Sequence, residues 1–428
     1  MLSRMVQSFP RIMVYAGLLL MVAVTFGPSR TQAQAPLAST AVRVYGQTDF
    51  TGSAANWSGD AGRDTLNYPL GLAVDASGGV YLADRNNHRV LYYANDGDSL
   101  ADRVIGQNGD FTAHIANHNG AGDSGAPSPN NMMNPTGIAL DAAGGLYVCD
   151  RDNHRLLYYA PDGDDTADRV YGQYGSFGVN MTQNDGAGNF GEPGPENFGT
   201  YILGVAVDTN GGVYVSDATN HRVLFFANDG DTVADRVYGQ YGNMNSGVRN
   251  NDGTGRTGTP TAENFNFPRG LAIGPSGELV VADRDNNRIL VFNDDGDTVA
   301  DRVYGQYGDF GMNVETNDGA GQIGTPNADN LSHPKSITFD AAGGLWVADS
   351  MHHRVLYFAN DGDTTADGVL GQFGSLTSAV INHDGSGNSG APSADNLNLP
   401  QGLVFDAAGN LYVTDTGNNR MLMYSLAQ

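Results

Sequence analysis

Six copies of one four-strand unit, spaced 66 or 67 residues apart, restrict what this chain can fold into more than any other feature. The aspartate that closes the second apolar run of each unit falls at Asp84, Asp150, Asp217, Asp283, Asp349 and Asp415. Self-similarity at a fixed period marks units that bury their apolar faces only against their neighbours. In the second unit Gly137-Ile-Ala-Leu-Asp141 leads through Ala-Ala-Gly-Gly to Leu146-Tyr-Val-Cys-Asp150. The loop Arg-Asp-Asn-His then leads to Arg155-Leu-Leu-Tyr-Tyr159, and Pro161-Asp-Gly-Asp164 leads to Arg169-Val-Tyr-Gly-Gln173. The runs are short, rich in β-branched and aromatic residues, and bounded by Gly, Asn and Asp, which predicts antiparallel hairpins. With 59 glycines and only 16% charged residues, the composition suits short strands and tight turns rather than helices.

The strand count also predicts how the unit array ends. A fourth-strand sequence, Arg43-Val-Tyr-Gly-Gln47, precedes the first unit, and none follows the last. The N-terminal strand is therefore expected to complete the C-terminal blade, pairing two edges that would otherwise be open. The expected fold is all-β: a six-bladed β-propeller of four-stranded antiparallel blades, forming one domain over residues 36–428. The recurring pattern Pro-x-Gly-apolar-Ala-Val-Asp, then Gly-apolar-Tyr-Val-Ala-Asp, then Asn-x-Arg-apolar-apolar-x-Phe resembles the NHL repeat. Asn287-Arg288-Ile-Leu-Val-Phe292 and Asn419-Arg420-Met-Leu-Met-Tyr424 carry its third part. The resemblance implies that the first strand of each unit (A) lies nearest a central channel, followed outward by B, C and D. Strand parity then puts the B–C loops and the long D–A connections on one face, and the A–B and C–D turns on the other.

Residues 1–35 read as a secretory signal peptide. Arg4 and Arg11 precede an apolar run from Met13 to Phe26, and Ala33-Gln34-Ala35 offers a cleavage site. The competing reading, a membrane anchor, needs a longer run, of roughly 20 residues. Removing the segment takes away three arginines and no acids, so the formal charge moves from −25 to −28. The expectation is a secreted, periplasmic or extracellular monomer with no membrane insertion after the signal is removed. Lys335 is the only lysine. A surface this acidic and this poor in lysine excludes nucleic acid as a partner, because phosphate contacts need clustered Lys and Arg. Cys149, the only cysteine, stands where other units have alanine and reads as a packing thiol, so no intrachain disulfide is expected.

The B–C loops run from Asp84 to Arg89 and through their five counterparts, with the aspartate and the final arginine present in all six. A feature repeated in every blade specifies the blade, so the pair is read as structural. His88, His154, His221 and His353 are spread one per blade and replaced by Asn in two, which favours structure over zinc. Peptide-amidating lyases of NHL type hold zinc through histidines just after the strand-A proline. Here that slot reads Leu70, Thr136, Leu203, Arg269, Lys335 and Gln401, with only His333 nearby.

Blade-specific residues say more about function. Arg269 and Lys335 share one slot in adjacent blades, and Arg85, Arg151 and Arg284 stand where other B–C loops have Ala218, Ser350 and Thr416. Together they are candidates for binding a carboxylate, phosphate or sulfate at the channel mouth; the alternative is neutralisation of neighbouring aspartates. The C–D turns place Asp96, Asp98 and Asp102, Asp229, Asp231 and Asp235, and Asp295, Asp297 and Asp301 close together. Their oxygens suit Ca²⁺, although Asp-Gly is also the commonest tight-turn dipeptide. The D–A inserts, such as Asn184-Asp-Gly-Ala-Gly188, are long enough to be functional and mark their face as the binding surface. The leading expectation is a non-enzymatic binding or scaffold propeller recognising a protein, glycan or small anion, with no certain cofactor. The alternative is a metal-dependent propeller lyase or lactonase acting at the channel.

Overall fold

A computed structural model describes residues 40–426; the expected signal segment lies outside them. The described residues form six four-stranded antiparallel sheets. The innermost strands are Pro69–Val74, Pro135–Leu140, Ile202–Val207, Pro268–Ile273, Pro334–Phe339 and Pro400–Phe405. Each packs beside the next, and the last packs beside the first, so the ring closes. The only helical elements among the described residues are short 3₁₀ turns.

The closure follows the expected clasp. Strand Arg43–Tyr45 pairs antiparallel with Arg420–Ser425 as the outer strand of the last blade, with Arg43 opposite Met423 and Tyr45 opposite Met421. The apolar cores sit between blades rather than within them. Tyr147, Cys149 and Leu156 of the second blade pack with Val205, Val215 and Leu224 of the third. Tyr45, Tyr412 and Met421 likewise pack with Leu72, Leu82 and Leu91 across the seam where the chain's ends meet. A blade without a neighbour on each side would expose half its apolar surface, so closure is part of the stability. Deleting residues 36–48 removes the clasp strand together with Tyr45, 3% exposed in the native ring, and uncovers Tyr412 and Met421, which pack in the same cluster. The expected cost is about 2–3 kcal/mol, read as a lowered urea midpoint; an unchanged midpoint would refute the clasp.

The fourth strands are shorter than the sequence pattern suggests. Only Arg169–Tyr171 of the second blade is strand; Gly172 turns the chain at φ 78°. The following glutamine is a cross-link. Gln173 is buried, and its Nε2 donates to the carbonyls of His154 (3.1 Å) and Met181 (2.7 Å). Gln47, Gln107, Gln240, Gln306 and Gln372 bond in the same way. Each ties the end of strand D to its own B–C loop and holds the start of the insert.

The B–C loop pair is fully buried in every blade. Asp217 Oδ2 accepts from Arg222 Nε at 2.8 Å, and Arg222 continues to backbone carbonyls of the preceding insert. The residue before each of these arginines takes the left-handed conformation, φ 51–54°, which His and Asn tolerate better than most residues. Its side chain reaches the next blade. His88 Nδ1, His221 Nδ1 and His353 Nδ1 accept the N–H groups of Asn134, Phe267 and Leu399, at 3.0–3.1 Å. Asn287 and Asn419 do the same through Oδ1, to His333 and Tyr68, while His154 Nδ1 meets the Thr200 carbonyl at 2.9 Å. His and Asn interchange here because each places an acceptor atom at about the same reach. Burial lowers the pKa of His88, His221 and His353 to about 4, which keeps the ring an acceptor at neutral pH.

Candidate functional site: a cationic cup at the channel mouth

Each strand A carries a register break between its first residue, a proline in five blades and Ile202 in the third, and the apolar residue three positions on, as at Pro268/Leu271. The x-Gly pair falls in that break, and such bulges re-aim side chains. Below the mouth the channel is narrow, because the glycines let adjacent strands come very close. A Cβ on Gly204 would stand 2.1 Å from the Arg269 carbonyl oxygen, and one on Gly402 would stand 2.0 Å from that of Leu70. The fifth blade alone has Ser336 at this position.

Above this constriction opens a cup of about 240 Å³. All five basic residues singled out from the sequence line it: Arg85, Arg151, Arg269, Arg284 and Lys335. Six further residues complete the wall, Tyr68, Tyr201, Phe267, Leu70, Leu203 and Thr136. The three aromatic rings sit in the position immediately before strand A. The guanidiniums of Arg85, Arg151 and Arg284 lie 5.1, 3.8 and 5.0 Å from the ring centroids of Tyr68, Tyr201 and Phe267. These rings were not among the sequence candidates. The signal for them was an aromatic residue just ahead of strand A in three blades, two positions before the slot of Leu70, Leu203 and Arg269.

No carboxylate lines the cup. Arg151 meets Asp152 at 3.0 Å and Arg284 meets Asp285 at 3.4 Å, so neutralisation by neighbouring aspartates accounts for two of the five basic residues. Arg269 Nη2 reaches across the mouth to Gln401 Oε1 at 2.5 Å, and Gln401 in turn donates to the Tyr68 hydroxyl at 3.3 Å. Arg85 Nε is buried without a hydrogen-bond partner. The cations repel one another. Burial, then Arg284, Arg85 and Arg151, lower the Arg269 pKa, and burial with Arg151 lowers that of Arg85. Lys335, 9% exposed, falls to about 6 through burial and then Arg269 and Arg284. Uncompensated positive charge in a concave, partly desolvated site is what an anion relieves.

The inserts take a lesser part than expected. Their last residues, Tyr68, Tyr201 and Phe267, form the cup, but the Asn-Asp-Gly segments do not line it. In those segments Asn184 Oδ1 accepts the N–H groups of Gly186 and Gly188, and Asp185 Oδ1 those of Ala187 and Asn189, which folds the insert on itself. The C–D turn carboxylates act similarly. Asp96 accepts the Asp98 N–H, Asp98 that of Leu100 and Asp102 that of Ala94. Asp229, Asp231 and Asp235, and Asp295, Asp297 and Asp301, repeat these bonds. Among the described residues, no group of three or more His, Cys, Asp or Glu side chains is placed to hold a metal ion. A zinc or calcium ion needs neutral imidazole or carboxylate donors, and the cup's four guanidinium groups do not fit one. Cys149 is buried in the inter-blade core, with its thiol pKa pushed up by burial.

The fold and this site define a six-bladed propeller with a cationic mouth. Five of its six units are NHL repeats: the family model described as "NHL repeat" matches residues 66–93, 132–158, 200–226, 265–292 and 397–423. The fifth unit, which carries Lys335 and Ser336, lies outside these stretches. Among curated proteins the chain is similar to peptidylglycine alpha-amidating monooxygenase of Rattus norvegicus, 26% identical over 250 residues. That stretch is 57% of this chain and 22% of the rat protein. The Mus musculus protein matches at 25% over the same length. The chain thus spans about a fifth of the length of these relatives. Among solved structures it is similar to a gluconolactonase from Xanthomonas campestris, at 16% identity and TM-score 0.49, covering 91% of this chain and 100% of that one. It is also similar to a streptogramin B lyase, at 14% and 0.47, covering 90% and 97%. At such similarity neither structure bears on chemistry.

Proposed function

We propose that this propeller is a recognition module that binds a small anionic ligand in the cup at its channel mouth. The observation that carries this reading is the convergence of Arg85, Arg151, Arg269, Arg284 and Lys335 on one cavity with no carboxylate in its wall, in a chain of formal charge −25. Cations gathered at one place in so acidic a protein do not serve solubility. The guanidiniums present planar, fixed donor forks suited to carboxylate or phosphate oxygens. The aromatic rings behind three of them hold those forks in place and offer apolar contact to the body of a ligand. Arg269 is the anchor in this reading, because its bond to Gln401 holds it across the mouth. The reading assigns no ion to the Asp-Gly turns, whose carboxylates already accept the turns' own N–H groups. A metal-dependent lyase or lactonase finds no donor set in the cup.

Calorimetric titration with citrate and with inorganic phosphate tests the proposal. At least one should bind with a dissociation constant below about 1 mM, and Arg269→Met should weaken it by roughly 10- to 100-fold, the worth of a lost charge-assisted hydrogen bond. Absence of heat with both probes, or equal binding by Arg269→Met and Lys335→Met together, would sink it.

A further inference from the structure

Lys335 is the only lysine in the 428 residues, and it lines both the cup and the constriction beneath it. It comes from the strand-A slot of the one blade that has serine, Ser336, where the other five have glycine. The charged and titratable groups around it are Arg269 from the adjacent inner strand, Arg284 from that blade's B–C loop, and His333 and His353 from its own blade. No carboxylate pairs with it among the described residues. The acids that approach, Asp285 and Glu315, lie 3.8 and 3.9 Å from His333. With a pKa near 6 the amine is mainly uncharged at neutral pH, and its lone pair is free. A desolvated lysine beside fixed cations is the arrangement that turns an ammonium into a nucleophile toward carbonyl carbon. The guanidiniums of Arg269 and Arg284 offer a carboxylate its donors. One cavity therefore brings together a nucleophilic amine and a carboxylate clamp.

We propose that the cup captures a 2-oxo acid covalently and reversibly, as a Schiff base on Lys335, with Arg269 and Arg284 holding the carboxylate. The proposal rests on the reading of the cup as an anion site. In the first step the Lys335 Nζ lone pair attacks the keto carbon; the C=O π electrons move to oxygen, which takes a proton from the nitrogen, giving a carbinolamine. In the second the nitrogen loses its other proton, the C–O bond breaks, and the oxygen leaves as water while C=N forms. Nothing is oxidised or reduced, and hydrolysis runs the steps backward.

The full chain is incubated at neutral pH with pyruvate and cyanoborohydride, which reduces a C=N bond to a stable secondary amine, and is then analysed by intact mass and peptide mapping. One adduct per chain is expected, on the peptide that contains Lys335. It should be absent from Lys335→Met and at least about tenfold slower to form in Arg269→Met. Acetone, a carbonyl compound without a carboxylate, should label at least about tenfold more slowly than pyruvate. The sole lysine makes the mapping decisive on the unmodified protein, because the only other primary amine is the chain's own N-terminus. Labelling confined to that terminus, or acetone labelling as fast as pyruvate, overturns the proposal. Heat of pyruvate or citrate binding without a Lys335 adduct overturns the covalent step and leaves the anion cup standing. No binding of citrate, phosphate or pyruvate removes both.

Discussion

Replacing Arg222 with methionine is expected to cost the propeller about 3–5 kcal/mol, read as a fall in the urea midpoint at unchanged slope. Arg222 and Asp217 are both fully buried. Asp217 Oδ2 accepts from Arg222 Nε and from Asn220 Nδ2, each at 2.8 Å, while Oδ1 accepts the Gly199 N–H at 2.9 Å. Arg222 Nη2 donates to the Gly194 and Asn197 carbonyls at 3.0 and 3.1 Å, and Nη1 donates to the Met244 carbonyl. One side chain thus joins the insert before the blade, the B–C loop and the segment after strand D. Methionine fills much of the volume but leaves a buried carboxylate without its counter-charge and three carbonyls without a donor. Lysine should not rescue, since a single ammonium cannot meet Nε and Nη geometry together. The Asp217→Asn, Arg222→Met double variant should recover little, because the carbonyls stay orphaned. A loss under about 1 kcal/mol would mean that solvent reaches the pair. The same construction closes the ring. Arg420 donates to the Ser393 and Asn396 carbonyls on one side and, on the other, to that of Phe50, which follows the clasp strand.

Gly204→Ala should be nearly as damaging, at about 3 kcal/mol, and should also impair the cup. The added methyl group would stand 2.1 Å from the Arg269 carbonyl oxygen. That oxygen cannot drift away freely, because Ser216 Oγ donates to it at 2.8 Å while accepting the Gly204 N–H at 2.7 Å. The two inner strands must therefore separate, which displaces the backbone that carries Arg269. Citrate or phosphate binding should weaken along with stability. Gly178→Ala is the control: its Cβ meets nothing within 4 Å and should leave both measurements unchanged. Equal behaviour of the two variants would show that the inner strands tolerate a wider channel.

The relation between sequence and site is clearest at the strand-A slot. Its contents, from Leu70 to Gln401, were readable because the repeat aligns the blades residue by residue, and Arg269 and Lys335 stood out against that alignment. Arg85, Arg151 and Arg284 stood out the same way in the B–C loops. The inter-blade acceptor role of His88 and its counterparts was not legible. It depends on a left-handed backbone and on an N–H group 46 residues later in the next blade, and neither leaves a mark in residue type beyond the exchange of His for Asn. The glutamine after strand D looked like the end of a strand for the same reason.

By itself, then, the sequence determined the number of blades, the order of strands, the closing clasp and which positions share a radius, because a strict period with alternating apolar strands admits one way of burying them. Only the tertiary structure decided that five basic side chains drawn from four blades face a single cavity, that two of them are met by neighbouring aspartates, and that the sole lysine is buried among guanidiniums without an acid. Ring closure sets residues far apart in the chain at the same height and radius. The balance of charge within a few ångströms of each is a property of that shared space, which no local stretch of sequence contains.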